Sequence, residues 1–240
     1  MQMSSKPRVL LKLSGEVLAG SGGTGLDASV LSVVADQLVR ALNEGARIAV
    51  VLGGGNIFRG LGAAAKHMDR VIADQMGMLA TVINGLALTD AVRAAGGKAT
   101  LFTAFQVGAV GVPYARDRAL EALDNHTLAV LSGGTGNPFF STDSGAALRA
   151  AELGCALFLK GTKVDGVYDK DPAVHTDARR FDEISVDEVI ERRLGVLDLT
   201  AATMCRENNI DIRVYKMTEP DIIYRVASGH PEGTLIIAAR

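Results

Sequence analysis

The 240-residue chain holds only two cysteines, Cys155 and Cys205, far apart and without a C-x-x-C pair or a histidine cluster nearby. That pattern carries no thiol pair or metal motif, and buried thiols in a reducing compartment are the expectation. Charge of one sign is also missing: 25 Lys and Arg stand against 27 Asp and Glu, a formal net charge of −2. General attraction to nucleic acid or anionic lipid is thereby excluded, so an anionic ligand needs a local site. No long hydrophobic run opens the chain. "MQMSSKPRVLLKLSGEVLAG" is broken by Lys12 and Glu16, too short and too charged for a signal peptide or a spanning helix, which points to a cytoplasmic protein without a membrane partner. Internal repeats and low-complexity linkers are absent, and residues 1–240 are expected to form one domain. Two phosphate-binding signatures are missing too. "GGGNIFRG" lacks the G-x-G-x-x-G order and no G-x-x-x-x-G-K-[ST] occurs, which disfavours a Rossmann dehydrogenase and a Walker-type ATPase.

What is present is ordinary globular composition, 48% hydrophobic and 22% charged. "RVLLKLSG" predicts a buried strand ending in a turn, and "ASVLSVVADQLVRALNEG" an amphipathic helix closed by Gly45. "ARIAVVLGGG" repeats the strand-then-glycine pattern. A long helix is expected over about Asp69 to Ala95, apolar around more of its circumference than a surface helix needs, which suits either burial or a subunit interface. Then follow the strand "KATLFTA", a helix near "YARDRALEALDN", the strand "HTLAVLSGG", a helix from about Asp143 to Glu152 and the strand "CALFLKG". This alternation predicts a parallel sheet covered by helices on both faces. The D-G turn in "TKVDGVYDKDP" suggests a hairpin. Two helices, the strand "IDIRVYKM", a further helix and a final strand "GTLIIAA" close the chain.

Three glycine-rich turns follow apolar strands: Lys12 to Gly15, Gly53 to Gly60 and Ser132 to Asn137. At the carboxyl ends of parallel strands, glycines let backbone N–H groups approach phosphate closely, so three such turns imply a long anionic ligand or two of them. Lys12, Arg59, Lys160 and Lys163 fall at these strand ends, where surface charges and phosphate ligands are both open. Asp143 begins a helix beside Thr135, Asn137, Ser141 and Thr142, as an N-cap, a first-turn acid or part of a polar ligand wall.

"LLKLSGE", "GGGNIFRG", "DRVIADQMGMLATVINGLAL", "GTGNPFFSTDSGAALRAAELG", "TKVDGVYDKDP" and "NNIDIRVYKM" together resemble the bacterial UMP kinases of the amino acid kinase superfamily over nearly the whole chain. The resemblance implies a three-layer αβα sandwich with a mostly parallel central sheet, the amino acid kinase fold, and transfer of the ATP γ-phosphoryl group to UMP. By likeness, Lys12, Leu13, Ser14 and Gly15 form the first ATP-phosphate loop, Gly55 and Arg59 contact ATP, and Thr162, Tyr168 and Asp171 lie on its nucleoside side. Gly54 and Asp74 would contact UMP, Asp74 at the ribose, with Thr135, Gly136, Asn137, Pro138, Phe139, Phe140, Ser141 and Thr142 as the UMP loop. Lys12 and Arg59 would stabilise the transferring phosphoryl group, with Lys160 or Lys163 on the nucleotide phosphates. Asp143 would orient the lysines with Asp198. Mg²⁺ is expected to arrive with ATP, since no carboxylate cage is visible in the sequence. The likeness also implies a homohexamer activated by GTP and inhibited by UTP, with Gly20, Ser21, Gly22, Gly23, Thr24 and Gly25 in the place of a GTP-linked segment. Ser141 stands where threonine is expected, Gly161 where alanine is usual, loosening a strand end, and Gln75 where histidine is common. Two alternatives stay open on the same scaffold: a kinase of acyl or carbamoyl substrates, and a non-catalytic binding or storage protein.

Overall fold

The strands that carry the core are apolar on both faces. β1 (Arg8–Leu13) directs Val9, Leu11 and Leu13 to one side and Leu10 to the other, and β2 (Arg47–Leu52) divides Ile48, Val50 and Leu52 from Ala49 and Val51 in the same way. Such strands need cover on both sides.

The computed structural model describes residues 6–58 and 67–238. After β1 come a short α1 (Gly15–Leu18), a 3₁₀ turn (Gly20–Gly22), α2 (Ala28–Asn43), β2, α3 (Arg70–Ala94), β3 (Ala99–Thr103), β4 (Val112–Pro113), α4 (Arg116–Asp124) and β5 (Leu128–Ser132). The chain continues through α5 (Thr142–Glu152), β6 (Leu157–Thr162), β7 (Val167–Tyr168), β8 (Arg180–Phe181), β9 (Glu183–Ser185) and α6 (Val186–Glu191). It closes with α7 (Leu199–Glu207), β10 (Asp211–Lys216), α8 (Ile222–Ala227) and β11 (Thr234–Ile237).

Among the described residues nine strands form one sheet in the order β4-β3-β5-β2-β1-β6-β10-β11-β9. Every neighbouring pair is parallel except β10 with β11. Helices α2, α3 and α8 close one face over Leu11, Val50, Leu38, Leu88 and Ile223, and α4 to α7 close the other over Leu10, Phe158, Ala147, Val189 and Cys205. This is the expected three-layer sandwich. Both cysteines are buried and unpaired, and burial pushes each thiol up to about 12.

Helix starts follow side-chain chemistry. Asp27 caps α2, Asp69 caps α3 and Ser141 caps α5, each carrying an oxygen that accepts early backbone N–H groups. Asp143 is therefore not the cap of α5 but a first-turn residue. Gly45 ends the turn after α2 at φ +85°. The D-G expectation needs correction: Val167 pairs antiparallel with Phe181 and Tyr168 with Arg180, so the ribbon closes over residues 169–179 and not across Asp165-Gly166. β4 and β9, two and three residues long, were not foreseen.

Candidate active site

The four adjacent parallel strands β5, β2, β1 and β6 all end on one edge, which gathers the three glycine turns and Lys160 beside one another. β1 and β6 pair in a register that sets Lys12 opposite Lys160, and the alternation of the strand sends both to the face covered by α5. Asp143, in the first turn of α5, meets them there. Its Oδ1 lies 3.1 Å from the Lys12 ammonium and its Oδ2 accepts from the Lys160 ammonium. Burial acting alone would raise the Asp143 pKa, but the two ammonium groups outweigh it and hold the carboxyl below its usual range. The Lys160 pKa is lowered, first by burial and then by Lys12, against the pull of Asp143 and Asp198. The result is one carboxylate shared by two cations, an excess of positive charge at a strand edge.

The neighbouring turns are glycine for packing reasons as well as for ligand approach. A Cβ on Gly15 would fall 2.6 Å from the Gly53 carbonyl oxygen and 2.3 Å from Asn56 Oδ1. The second turn is fixed by a buried amide pair that no motif announced. Asn84 Nδ2 donates to the Gly53 carbonyl and to Asn56 Oδ1, both at 2.7 Å, while Asn56 Nδ2 returns a 3.0 Å bond to Asn84 Oδ1 and reaches the Gly25 carbonyl at 2.7 Å.

Beyond this turn a cavity of ≈ 550 Å³ runs between α3 and the 134–142 loop. Gly54, Gly55, Asp74, Thr135, Asn137, Phe139, Phe140, Ser141 and Thr142 line it, so most of the expected UMP residues come together, joined by the unforeseen Glu16, Arg70 and Thr81. Thr81 Oγ1 accepts the Gly133 N–H at 2.7 Å and Ser132 Oγ donates to the Thr81 carbonyl at 3.0 Å, which ties α3 to the third glycine turn. Ser141 donates to Asp198 Oδ2 and Ser144 Oγ to Asp198 Oδ1, while Asp198 caps α7 through the Ala201 N–H. Asp198 thus holds the start of α5 through its hydrogen bonds and acts on Lys160 through its charge. Ser141 uses only its hydroxyl, consistent with serine in a threonine position.

A second cavity of ≈ 690 Å³ opens on the other side of Lys160. Thr162, Tyr168 and Asp171 line it together, and the 192–196 loop supplies a wall that carried no sequence signal. Tyr168 donates to Asp165 at 2.7 Å and Asp171 caps the following turn through the Ala173 N–H. Lys163 is placed apart from the lysine pair: its side chain is 90% exposed and bridges to Glu16 at 3.3 Å. At Gly161 a Cβ would lie 2.0 Å from Met217 Sδ, so the strand end is filled by Met217 and not loosened. Arg59, with Gly60, lies outside the described residues. Among the described residues no group of three His, Cys, Asp or Glu side chains gathers to hold a metal ion.

A family model described as the amino acid kinase family matches residues 7–216. The chain belongs to that family. It is 49% identical over 236 residues to a uridylate kinase of Xanthomonas oryzae pv. oryzae, covering 98% of each chain. It is 47% identical over 234 residues to a uridylate kinase of Bacteroides thetaiotaomicron, with 98% of this chain and 99% of that one covered. Among solved structures it resembles the UMP kinase from Bacillus anthracis at a TM-score of 0.92 and 33% identity, covering 98% of each chain. The amino acid kinase fold is therefore the fold of this chain, and the protein is an enzyme of the kinase class.

Proposed function

We infer that the protein is a UMP kinase, which transfers the γ-phosphoryl group of ATP to UMP and gives UDP and ADP. The observation that carries this is the placement of the Lys12–Asp143–Lys160 cluster between two nucleotide-sized cavities. Lys160 lines one cavity, and Thr142, next to Asp143, lines the other. Relatives of nearly equal length that bear the name uridylate kinase support UMP as the acceptor.

The chemistry asks little of a base. The second pKa of a phosphate monoester is about 6, so UMP is mostly a dianion at neutral pH and its oxygen can attack directly. Catalysis becomes in-line positioning plus charge neutralisation. Lys12 and Arg59 stabilise the transferring phosphoryl group, Lys160 adds charge on the ATP side, and Asp143 fixes the two β-strand lysines. Leu13, Ser14, Gly15 and Gly55 supply backbone toward ATP phosphates. Gly54, Asp74 and the loop from Thr135 to Thr142 hold UMP. Lys163 is exposed and bridges to Glu16. Mg²⁺ would come with the ATP phosphates and offset their charge.

The continuous sheet supports a single domain over residues 1–240, two buried free thiols support a cytoplasmic setting, and a place in pyrimidine nucleotide biosynthesis follows from UMP as the acceptor. Assembly as a homohexamer is supported by the exposed apolar residues Ile72, Met76, Leu79, Ile83 and Leu86 along α3. Regulation by GTP through Gly20 to Gly25, and by UTP as inhibitor, rests on family likeness. One structural fact favours the GTP segment: Gly25 exchanges hydrogen bonds with Asn56 of the second glycine turn.

The test is ADP release with Mg-ATP and, in parallel, UMP, CMP, dUMP, carbamate, glutamate and aspartate. Turnover with UMP and not with the acids is expected. Turnover with an acid, or ATP binding without turnover, would transfer the protein to one of the two alternatives on this scaffold.

A further inference from the structure

At the start of α3 a basic and an acidic side chain stand one helical turn apart and face the 135–140 loop. Arg70 Nε donates to both carboxylate oxygens of Asp74, at 2.8 Å each. Asp74 Oδ2 also accepts the backbone N–H of Phe139 at 2.7 Å. The Arg70 guanidinium carbon lies 5.6 Å from the centre of the Phe139 ring. Phe139 sits at φ +71°, a left-handed conformation unfavourable for a residue with a Cβ. A charge-assisted bond to its N–H stabilises that conformation. Arg70 therefore fixes the carboxylate, and the carboxylate fixes the loop.

An ionised carboxylate offers about four acceptor sites. Arg70 occupies one on each oxygen and the Phe139 N–H takes the second on Oδ2. One site remains, on Oδ1, in a side chain that is mostly buried and lines the cavity. We propose that Arg70 is a positioning residue for UMP, holding the Asp74 carboxylate so that its one remaining acceptor site receives a single ribose hydroxyl. The proposal rests on UMP as the acceptor substrate. A carboxylate released by Arg70 could rotate about its last side-chain bond, lose the Phe139 N–H and present no fixed acceptor.

The experiment measures kcat and KM for UMP and for ATP in the wild type, Arg70→Ala, Arg70→Lys, Asp74→Ala and the Arg70→Ala/Asp74→Ala double variant, with melting curves for each. Arg70→Ala should raise the KM for UMP about tenfold, the scale of one charge-assisted hydrogen bond, with kcat falling less than KM rises and the KM for ATP moving under about twofold. Arg70→Lys should recover part of the loss, because an ammonium can hold one carboxylate oxygen but lacks the planar fork. On the Asp74→Ala background, removing Arg70 should add less than about a further twofold, as required of a residue acting through Asp74. The Arg70 side chain is 47% exposed, so its removal should leave folding intact; Arg70→Gln, which keeps the length of the side chain, is the substitute if it does not. An unchanged KM for UMP in folded Arg70→Ala and Arg70→Gln proteins would overturn the proposal, as would full multiplication of the two single effects. Wild-type protein that is folded but inert toward UMP would instead remove the UMP assignment itself, and the proposal with it.

Discussion

At the residue scale the site turns on how three charges share a buried strand edge. Lys12 and Lys160 stand side by side because of register, and without Asp143 their repulsion would be uncompensated. Lys12→Ala should lower kcat by about 10²–10³, the scale of removing one preorganised group from a charged transition state, while the Kd for UMP changes only a few-fold. Steady-state kinetics beside calorimetry checks this, and near-normal turnover would take Lys12 out of the chemistry. The Lys160 pKa lies below the ordinary 10.5, chiefly through burial. Its charge is therefore lost, as pH rises, earlier than for a surface lysine. The kcat profile should show an alkaline limb that sets in below 10.5 and moves upward in Lys160→Arg, because a guanidinium does not titrate in that range. A limb that stays in place in Lys160→Arg would belong to another group. On the acid side, kcat/KM should fall near pH ~6 as the UMP dianion is protonated, with the same midpoint in every active variant.

At the element scale α3 is the part that joins site and core. Its close approach to the sheet requires a residue without a side chain at Gly85, where a Cβ would lie 2.2 Å from Ser132 Oγ and 2.7 Å from Leu101 Cδ1. Gly85→Ala gains helix propensity yet forces α3 off β5, and overpacking of this kind costs about 1–3 kcal/mol. For a chain of this size that is a fall in Tm of several degrees, about 2–4 °C per kcal/mol, measurable by calorimetry. An unchanged Tm would show that Ser132 can turn away freely. The central strands and their glycine turns were legible because an apolar run ending in glycine is a long, redundant signal. β4 and β9 were not, since two or three residues cannot display a period. Asp165 and Gly166 fall in a bend, but pairing of Val167 with Phe181 is a tertiary fact that turn propensity does not contain. The same division holds in the site. Lys12, Asp143 and Lys160 could be named from strand ends and likeness, yet which of Lys160 and Lys163 joins Lys12 depends on register. Asn84 and Arg70 escaped notice because an asparagine within a helix and an i, i+4 ion pair are usually unremarkable in sequence.

At the scale of the whole molecule, α3 presents a second face. Ile72, Met76, Leu79, Ile83 and Leu86 are each 38–48% exposed, and their alternating spacing of four and three places them in one seam along the helix. The 25-residue α3 is long and apolar enough to cross a membrane by length and composition, but Thr81, Asn84 and Thr89 are buried against the sheet on its inner side. A seam on a helix whose opposite face is already packed fits a second copy of the chain, which would remove these five side chains from water. Asp74 lies on the same turns as Ile72 and Met76 but faces the cavity and not the seam, so assembly would reach the residue assigned to the ribose only by stiffening α3 itself. Ile83→Glu would bury a charge in that seam, and light scattering should show the proposed hexamer falling to smaller species. A variant of unchanged mass would take α3 out of the interface, while a wild-type protein that is a stable monomer at working concentration would refute the hexamer. If the smaller species forms and its KM for UMP rises while its KM for ATP holds, the seam and the ribose contact are coupled through α3.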